Sequence, residues 1–437
     1  MQRISGWTLI GFSLLAASQA RGAGFALHEQ GASGLGNAYA GAAAVAEDAT
    51  TVWWNPAGMS RLAPGKLFSV GGAYIAPTTE FSNRASVPAA LQSGGGDGGN
   101  AGESKLVPNL FFAMDVGPQW NFGLAVTVPF GLATQYDSNW IGRFQGVKSE
   151  VETLNINPAV SYKVSDALSV GGGISYQRGK IDLTSAVNYS AAAARAGILG
   201  LVGTNVEGQN TTSVDGDAWG FNLGALFNVA PATRVGVHYR SSLSYDLDGN
   251  TSFSNRPAVL AAGIPDSDVK LSIKTPDSAA FSIAHDLNQQ VQLLADATWT
   301  RWSRIGQVPL VRSSGTFSGQ TLDTLTFNFK DVWRFSAGVN YRLTGGTVLK
   351  AGLAYDKSPV PNAETLSVRL PDSDRTWFSL GAAFQVSPKD KVDAGYTYVR
   401  MKDADINNDQ TASGKGLVNG SYNAYIHIVG LQYQHTF

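Results

Sequence analysis

The chain of 437 residues has 15% charged and 10% aromatic residues, 50 Gly, no Cys and a formal net charge of −1. That composition fits neither a disordered chain nor a Leu-rich soluble core, and near-neutrality gives no electrostatic case for nucleic acid. Without Cys, stability cannot come from disulfides.

Residues 1–22 read as a secretory signal: Arg3 is the positive start, Thr8 to Ala17 the short apolar run, and small residues permit cleavage after Ala20 or Gly22. The run is too short to span a membrane as a helix. Residues 23–65 then form a Gly/Ala-rich segment without alternation, in which Trp53 and Trp54 run into Asn55-Pro56-Ala57. Pro fixes φ and lacks a donor, and an Asn side chain satisfies turn backbone, so this triplet predicts a tight turn ending a plug.

From Lys66 to Phe437 the dominant pattern is period two. In Trp219 to Val229 the odd positions Trp219, Phe221, Leu223, Phe227 and Val229 are apolar, with Gly220, Asn222, Gly224 and Asn228 between them. The same alternation recurs from Val291 to Thr300, Arg334 to Arg342 and Trp377 to Phe384. Period two places the two sets on opposite faces of a strand. Alternation alone does not separate a soluble sandwich from a membrane barrel, but the connections do. Six short turns, at 117–118, 165–166, 230–231, 286–290, 344–346 and 387–390, alternate with seven long polar segments near 79–103, 135–147, 185–212, 250–267, 305–321, 359–372 and 404–420. Thirteen connections give about fourteen strands, an even number with short turns at one rim, as in outer-membrane barrels. The chain ends on a strand, Tyr425 to Phe437, that presents Val429, Leu431, Tyr433 and Phe437 on one face together with His435. The expected fold is an all-β, fourteen-stranded antiparallel transmembrane barrel with residues 23–65 as a plug in its lumen.

Within one strand, Val128-Pro129-Phe130-Gly131 interrupts a β pattern that begins at Asn121. Pro cannot donate to a ladder and Gly tolerates bulged geometry, so the strand is expected to bend from a neighbour and leave a gap in the wall. Pro108 and Pro158 also fall in strand-like runs, so Pro alone does not decide. Ala191 to Gly203, inside a polar loop, predicts a short helix exposing Ile198, Leu199, Leu201 and Val202, and exposed apolar patches mark binding surfaces. Gly94 to Gly99 fits GxGxxG but lacks a strand-to-helix context. Asp403, Asp405, Asn407 and Asp409 alternate like a calcium loop, but Asn408 stands where Gly is needed and Gly414 where the closing acid is needed. The His residues have no metal-ligand spacing, and no nucleophile motif or P-loop occurs, so neither cofactor, metal nor enzyme activity is expected.

Residues 23–64 resemble the hatch of the long-chain fatty acid transporter family of the bacterial outer membrane (FadL-type). The carriers are Ala23-Gly24-Phe25, Gly34-Leu35-Gly36, Ala38-Tyr39-Ala40-Gly41 and Asn55-Pro56-Ala57; further matches are Gly131-Leu132-Ala133-Thr134, Phe329-Lys330-Asp331, Ser358-Pro359-Val360-Pro361 and Pro371-Asp372-Ser373-Asp374-Arg375. The resemblance implies passive uptake of a hydrophobic small molecule, collected by extracellular loops and released sideways through a kinked third strand at Val128 to Gly131. It makes Asn55-Pro56-Ala57 part of a gate between hatch and wall, Phe25 part of a ligand pocket and Lys330 a partner of the ligand carboxylate; the exposed Ile198, Leu199, Leu201 and Val202 read as an extracellular landing groove. Arg178-Gly179-Lys180 matches the fifth strand, but Leu183 occupies a position that is basic in the family. A neutral ligand such as an alkane or a monoaromatic therefore stays open beside a fatty acid. Two other readings are a general porin, which needs an unplugged lumen, and an outer-membrane hydrolase, which needs a Ser/His/acid cluster. The partners implied are outer-membrane lipid and lipopolysaccharide and the outer-membrane assembly machinery, with the chain a monomer in the outer membrane of a Gram-negative bacterium.

Overall fold

The computed structural model describes residues 23–437; the expected signal segment and its cleavage positions lie outside the described residues. The chain forms a closed fourteen-stranded antiparallel barrel. Its strands are β1 (Lys66–Asn83), β2 (Lys105–Asp115), β3 (Trp120–Thr127 and Gly131–Gln135), β4 (Lys148–Lys163), β5 (Leu168–Asn188), β6 (Glu207–Ala230) and β7 (Thr233–Arg240 and Ser244–Phe253). They continue with β8 (Ser267–Lys274 and Ser278–Asp286), β9 (Val291–Thr300 and Gln307–Arg312), β10 (Thr321–Thr326 and Val332–Arg342), β11 (Val348–Asp356), β12 (Arg375–Gln385), β13 (Asp390–Met401 and Ala404–Gln410) and β14 (Gly416–Thr436). Each pairs with its sequence neighbour, and β1 closes on β14 from Leu67↔Thr436 to Asn83↔Gly420, so no edge strand is left.

Burial inverts the soluble pattern. Trp219, Leu380 and Leu431 are 66%, 64% and 60% exposed, whereas Asn155, Asn222, Ser282 and Lys350 are buried inside. Apolar side chains out and polar side chains in is a membrane arrangement. Trp120 and Tyr162 near the short turns, and Tyr176 and Trp219 higher in the wall, pack as aromatic pairs 4.7 and 5.1 Å apart. No helix among the described residues is long and apolar enough to cross a membrane.

Several expected loops are shorter than their polarity suggested. The segment 185–212 is strand to Asn188 and again from Glu207. Residues 404–410 are strand, not a calcium loop, and pair with β14 from Ala404↔Tyr422 to Gln410↔Gly416. Cross-strand partners, including Asn419 Nδ2 to Asn407 Oδ1 at 2.8 Å, supply what intrinsic β propensity lacks. The described residues contain no cluster able to hold a metal ion.

Residues 23–65 pack against inward-facing wall residues. Their short helical turns, Ala32–Asn37, Ala42–Val45, Thr51–Trp54 and Pro56–Arg61, are built of small side chains that let backbone approach backbone. Lys350 Nζ holds this plug at Glu47 (2.5 Å) and at the Ser33 carbonyl (2.8 Å), and Arg334 donates to the Ala38 carbonyl.

Candidate functional site

Asn55, Pro56 and Ala57 are all buried at the seam of plug and wall. Asn55 Nδ2 donates to the carbonyls of Ala43 (2.7 Å) and of Ala225 on β6 (3.0 Å), and its Oδ1 accepts from the Ala57 N–H (3.1 Å). One side chain thus ties two turns of the plug to the barrel. The wall is glycine where it meets the triplet: a Cβ on Gly224 would sit 2.0 Å from Asn55 Oδ1, and one on Gly171 2.6 Å from the Ala57 nitrogen.

The third strand breaks at the expected residues. Its ladder with β2 runs from Asp115↔Asn121 to Leu110↔Val126 and stops. With β4 it is paired up to Thr127↔Asn155 and resumes at Gly131↔Glu152, four residues against three, which is a bulge of one residue. Every residue from Thr127 to Thr134 is buried, so this stretch no longer alternates between lumen and lipid. The plug supplies the missing partners. Leu27 N–H donates to the Pro129 carbonyl (2.8 Å) and Gly131 N–H to the Phe25 carbonyl (2.7 Å), while Gln30 binds both the N–H and the carbonyl of Val128. Pro129 needs no donor partner, which is why it sits at the turn of the kink. At the top of the interrupted β2–β3 ladder, the buried Asn109 amide and Thr127 hydroxyl have no hydrogen-bond partner among the described residues.

Two cavities meet at this kink. The one toward the long loops is apolar, lined by Phe25, Leu132, Ile181, Leu183, Leu247 and Phe327 among others. The other is more polar, with His28, Gln177, His238, Arg240 and Arg334 on its walls. Phe130 lines both. Phe25 packs tilted against it at 5.7 Å and edge-on against Trp302 at 5.1 Å, so the two phenylalanines and the Ala26–Phe130 bridge form the partition. Trp302 and Leu243 reach this point because β9 is interrupted at 301–306 and β7 at 241–243.

Lys330 lines neither cavity. Its side chain is exposed, and its backbone N–H donates to the Pro359 carbonyl. Asn328, with φ at +49°, turns the chain so that Phe329, not Lys330, packs inward on Trp302. A different cation lines the apolar cavity: Arg369, from the β11–β12 loop, is buried, and its Nη1 donates to the Lys148 carbonyl (3.0 Å), Ser149 Oγ (3.0 Å) and the Thr184 carbonyl (3.2 Å). Those three partners are neutral, and no carboxylate among the described residues is within ion-pair distance of it.

The four apolar loop residues do not share one exposed helix. The helix is Tyr189–Arg195; Leu199 lies beyond it at 81% exposure, Val202 is half-buried, and Ile198 and Leu201 pack toward Leu260 of the next long loop. In the plug, Glu29 is fully buried with both carboxylate oxygens unpartnered among the described residues. Burial pushes its carboxyl up to about 7, against the opposing pull of Arg375 and Arg334. Burial, with the same two arginines, pushes the neighbouring His28 well below its ordinary value.

The profile of the family described as "Outer membrane protein transport protein (OMPP1/FadL/TodX)" matches residues 13–437. The chain belongs to this family. It is 30% identical to the long-chain fatty acid transport protein of Escherichia coli K12, with 90% of this chain and 91% of that one covered, and 28% identical to outer membrane protein P1 of Haemophilus influenzae over 97% of each. A crystal structure of a Pseudomonas aeruginosa FadL homologue superposes with a TM-score of 0.86 at 25% identity, over 95% of this chain and all of that one. The Ralstonia pickettii toluene transporter TbuX shares the fold, with a TM-score of 0.67 at 20% identity over 94% and 99% of the two chains. The protein is thus a Gram-negative outer-membrane transporter of hydrophobic compounds.

Proposed function

We propose that the protein carries long-chain fatty acids passively inward and releases them sideways, through the break beside Pro129, into the bilayer. The observation that supports this most directly is the interrupted β2–β3 ladder at a point where both lumenal cavities meet and the plug fills the axis. The physics favours a side route. Moving a chain of roughly fifteen methylenes from an apolar pocket into water costs about 12 kcal/mol at about 0.8 kcal/mol each, a cost the bilayer interior avoids. The ligand waits first among Leu199, Val202 and their loop neighbours, then in the apolar cavity with its tail against Phe25 and Ile181 and its head group on Arg369. Asn55-Pro56-Ala57 keeps the plug seated while Phe25 and Phe130 part. The plug likewise speaks against a general porin.

A neutral hydrocarbon is the second reading, favoured by Leu183 lining the cavity and by the outward position of Lys330. Growth on oleate, long alkanes and monoaromatics, with and without the protein, decides between them. Dependence on the protein for oleate alone supports the acid, and dependence for toluene or hexadecane alone overturns it.

A further inference from the structure

The β2–β3 break is bridged by charge. Below it stands the last ladder pair, Leu110↔Val126, and above it a bridge joins Gly102 to Thr134. Between these limits the two strands share no backbone pairing. Beyond the displaced upper half of β3 lies β4, where Gly131 faces Glu152 and Ala133 faces Glu150. Ser149, Val151 and Thr153 line the apolar cavity, so the alternate residues Glu150 and Glu152 point away from the lumen. Lys105, at the start of β2, places its Nζ 3.1 Å from Glu150 Oε1. Lys148 places its own 2.6 Å from Glu150 Oε2. The first of these pairs runs from β2 to β4 across β3, over the small residues Ala133 and Gly131. Its side chains are only 19% and 11% exposed.

We propose that Lys105, Glu150 and Lys148 form a clasp across the wall break, and that ligand passes from the lumen to the bilayer only when Lys105 releases Glu150. The inference rests on the sideways release argued above and adds the part that moves. The arrangement suits a latch. An ion pair sheltered from solvent resists opening, because each partner loses a charge-assisted bond. Yet Glu150 has a second cation on its own strand, so parting from Lys105 never leaves the carboxylate bare. The two strands that separate are already without backbone hydrogen bonds over this stretch, so the clasp opens without tearing a ladder.

The test uses the absence of native Cys. Lys105→Cys and Glu150→Cys are combined and joined in intact cells with a cleavable bis-methanethiosulfonate reagent of about 10 Å span, and initial oleate uptake is measured. The proposal expects wild-type or faster uptake before linking, loss of at least about tenfold after linking, and recovery on cleavage with a reductant. It also expects Glu150→Gln alone to take up oleate about two- to fivefold faster than wild type. Undiminished uptake in the linked protein, while Gly131→Arg stops uptake, overturns the clasp and spares sideways release. Undiminished uptake in both overturns sideways release itself, and the clasp with it. A Glu150→Gln protein slower than wild type, at equal amounts of heat-resistant folded barrel, also contradicts the clasp.

Discussion

Replacing Asn55 with Ala removes three hydrogen bonds from a buried seam and leaves the carbonyls of Ala43 and Ala225 and the N–H of Ala57 without that partner. At about 1 kcal/mol net for each, the plug loses on the order of 3 kcal/mol of its docking, close to a hundredfold rise in the fraction undocked. The barrel keeps its closed ladder, so folding measured by heat-modifiable migration should not change. The consequence reaches the kink because the same plug presents Phe25, Leu27 and Gln30 to Val128, Pro129 and Gly131. Oleate uptake by Asn55→Ala cells is expected to fall severalfold. A Cys placed at Ala44, buried on the plug, should react far faster with a membrane-impermeant maleimide than in the parent. Gly224→Ala offers an independent route to the same state, since its Cβ would collide with Asn55 Oδ1. Unchanged uptake together with unchanged Ala44→Cys labelling would refute the view that this side chain seats the plug.

Arg369→Met should weaken binding of oleate to the purified protein by about tenfold or more, the loss expected for a charge-assisted head-group contact, and leave methyl oleate unaffected; isothermal titration of both ligands checks it. Equal weakening of both ligands would mean that Arg369 shapes the cavity without reading charge. For Glu29 the sign follows from its raised value. The carboxyl is protonated in the seated plug up to about pH 7 but only to about pH 4.5 when the plug is exposed. Its contribution to docking is fully present below pH 4.5 and is lost as pH rises through 7. Protection of Ala44→Cys from maleimide should therefore be greater at pH 5.5 than at pH 8.5, with rates corrected for the reagent's own pH dependence. Glu29→Gln should flatten that difference; an undiminished difference would assign the titration elsewhere.

The barrel was legible because a wall that is lipid on one side and polar lumen on the other prints period two on every strand, and the turns at one rim are short. The kink was legible for a local reason: Pro129 has no N–H, so a ladder could not pass through it. What fills the kink was not legible, since Gln30 and Phe25 are some hundred residues away and carry no signal of which backbone they meet. Arg369 was hidden in the same way, reaching Ser149 and Thr184 from a loop that reads only as polar. Lys330 misled because a motif fixes neighbours in sequence, whereas the turn at Asn328 decides which of Phe329 and Lys330 faces inward. The upper hairpin of β13 and β14 was read as loop because Asp and Asn are poor strand formers alone, and the continuing register with β14 overrides that.

The most direct test of sideways release is the initial rate of labelled oleate uptake by cells carrying Gly131→Arg, compared with Gly131→Ala at matched amounts of folded barrel. Gly131 pairs with Glu152 at the resumption of β3, beside the break, so the comparison sets a long charged side chain against a single methyl group at the same place. The account predicts uptake near background for the Arg protein and near wild type for the Ala protein; uptake at the wild-type rate in both would contradict it.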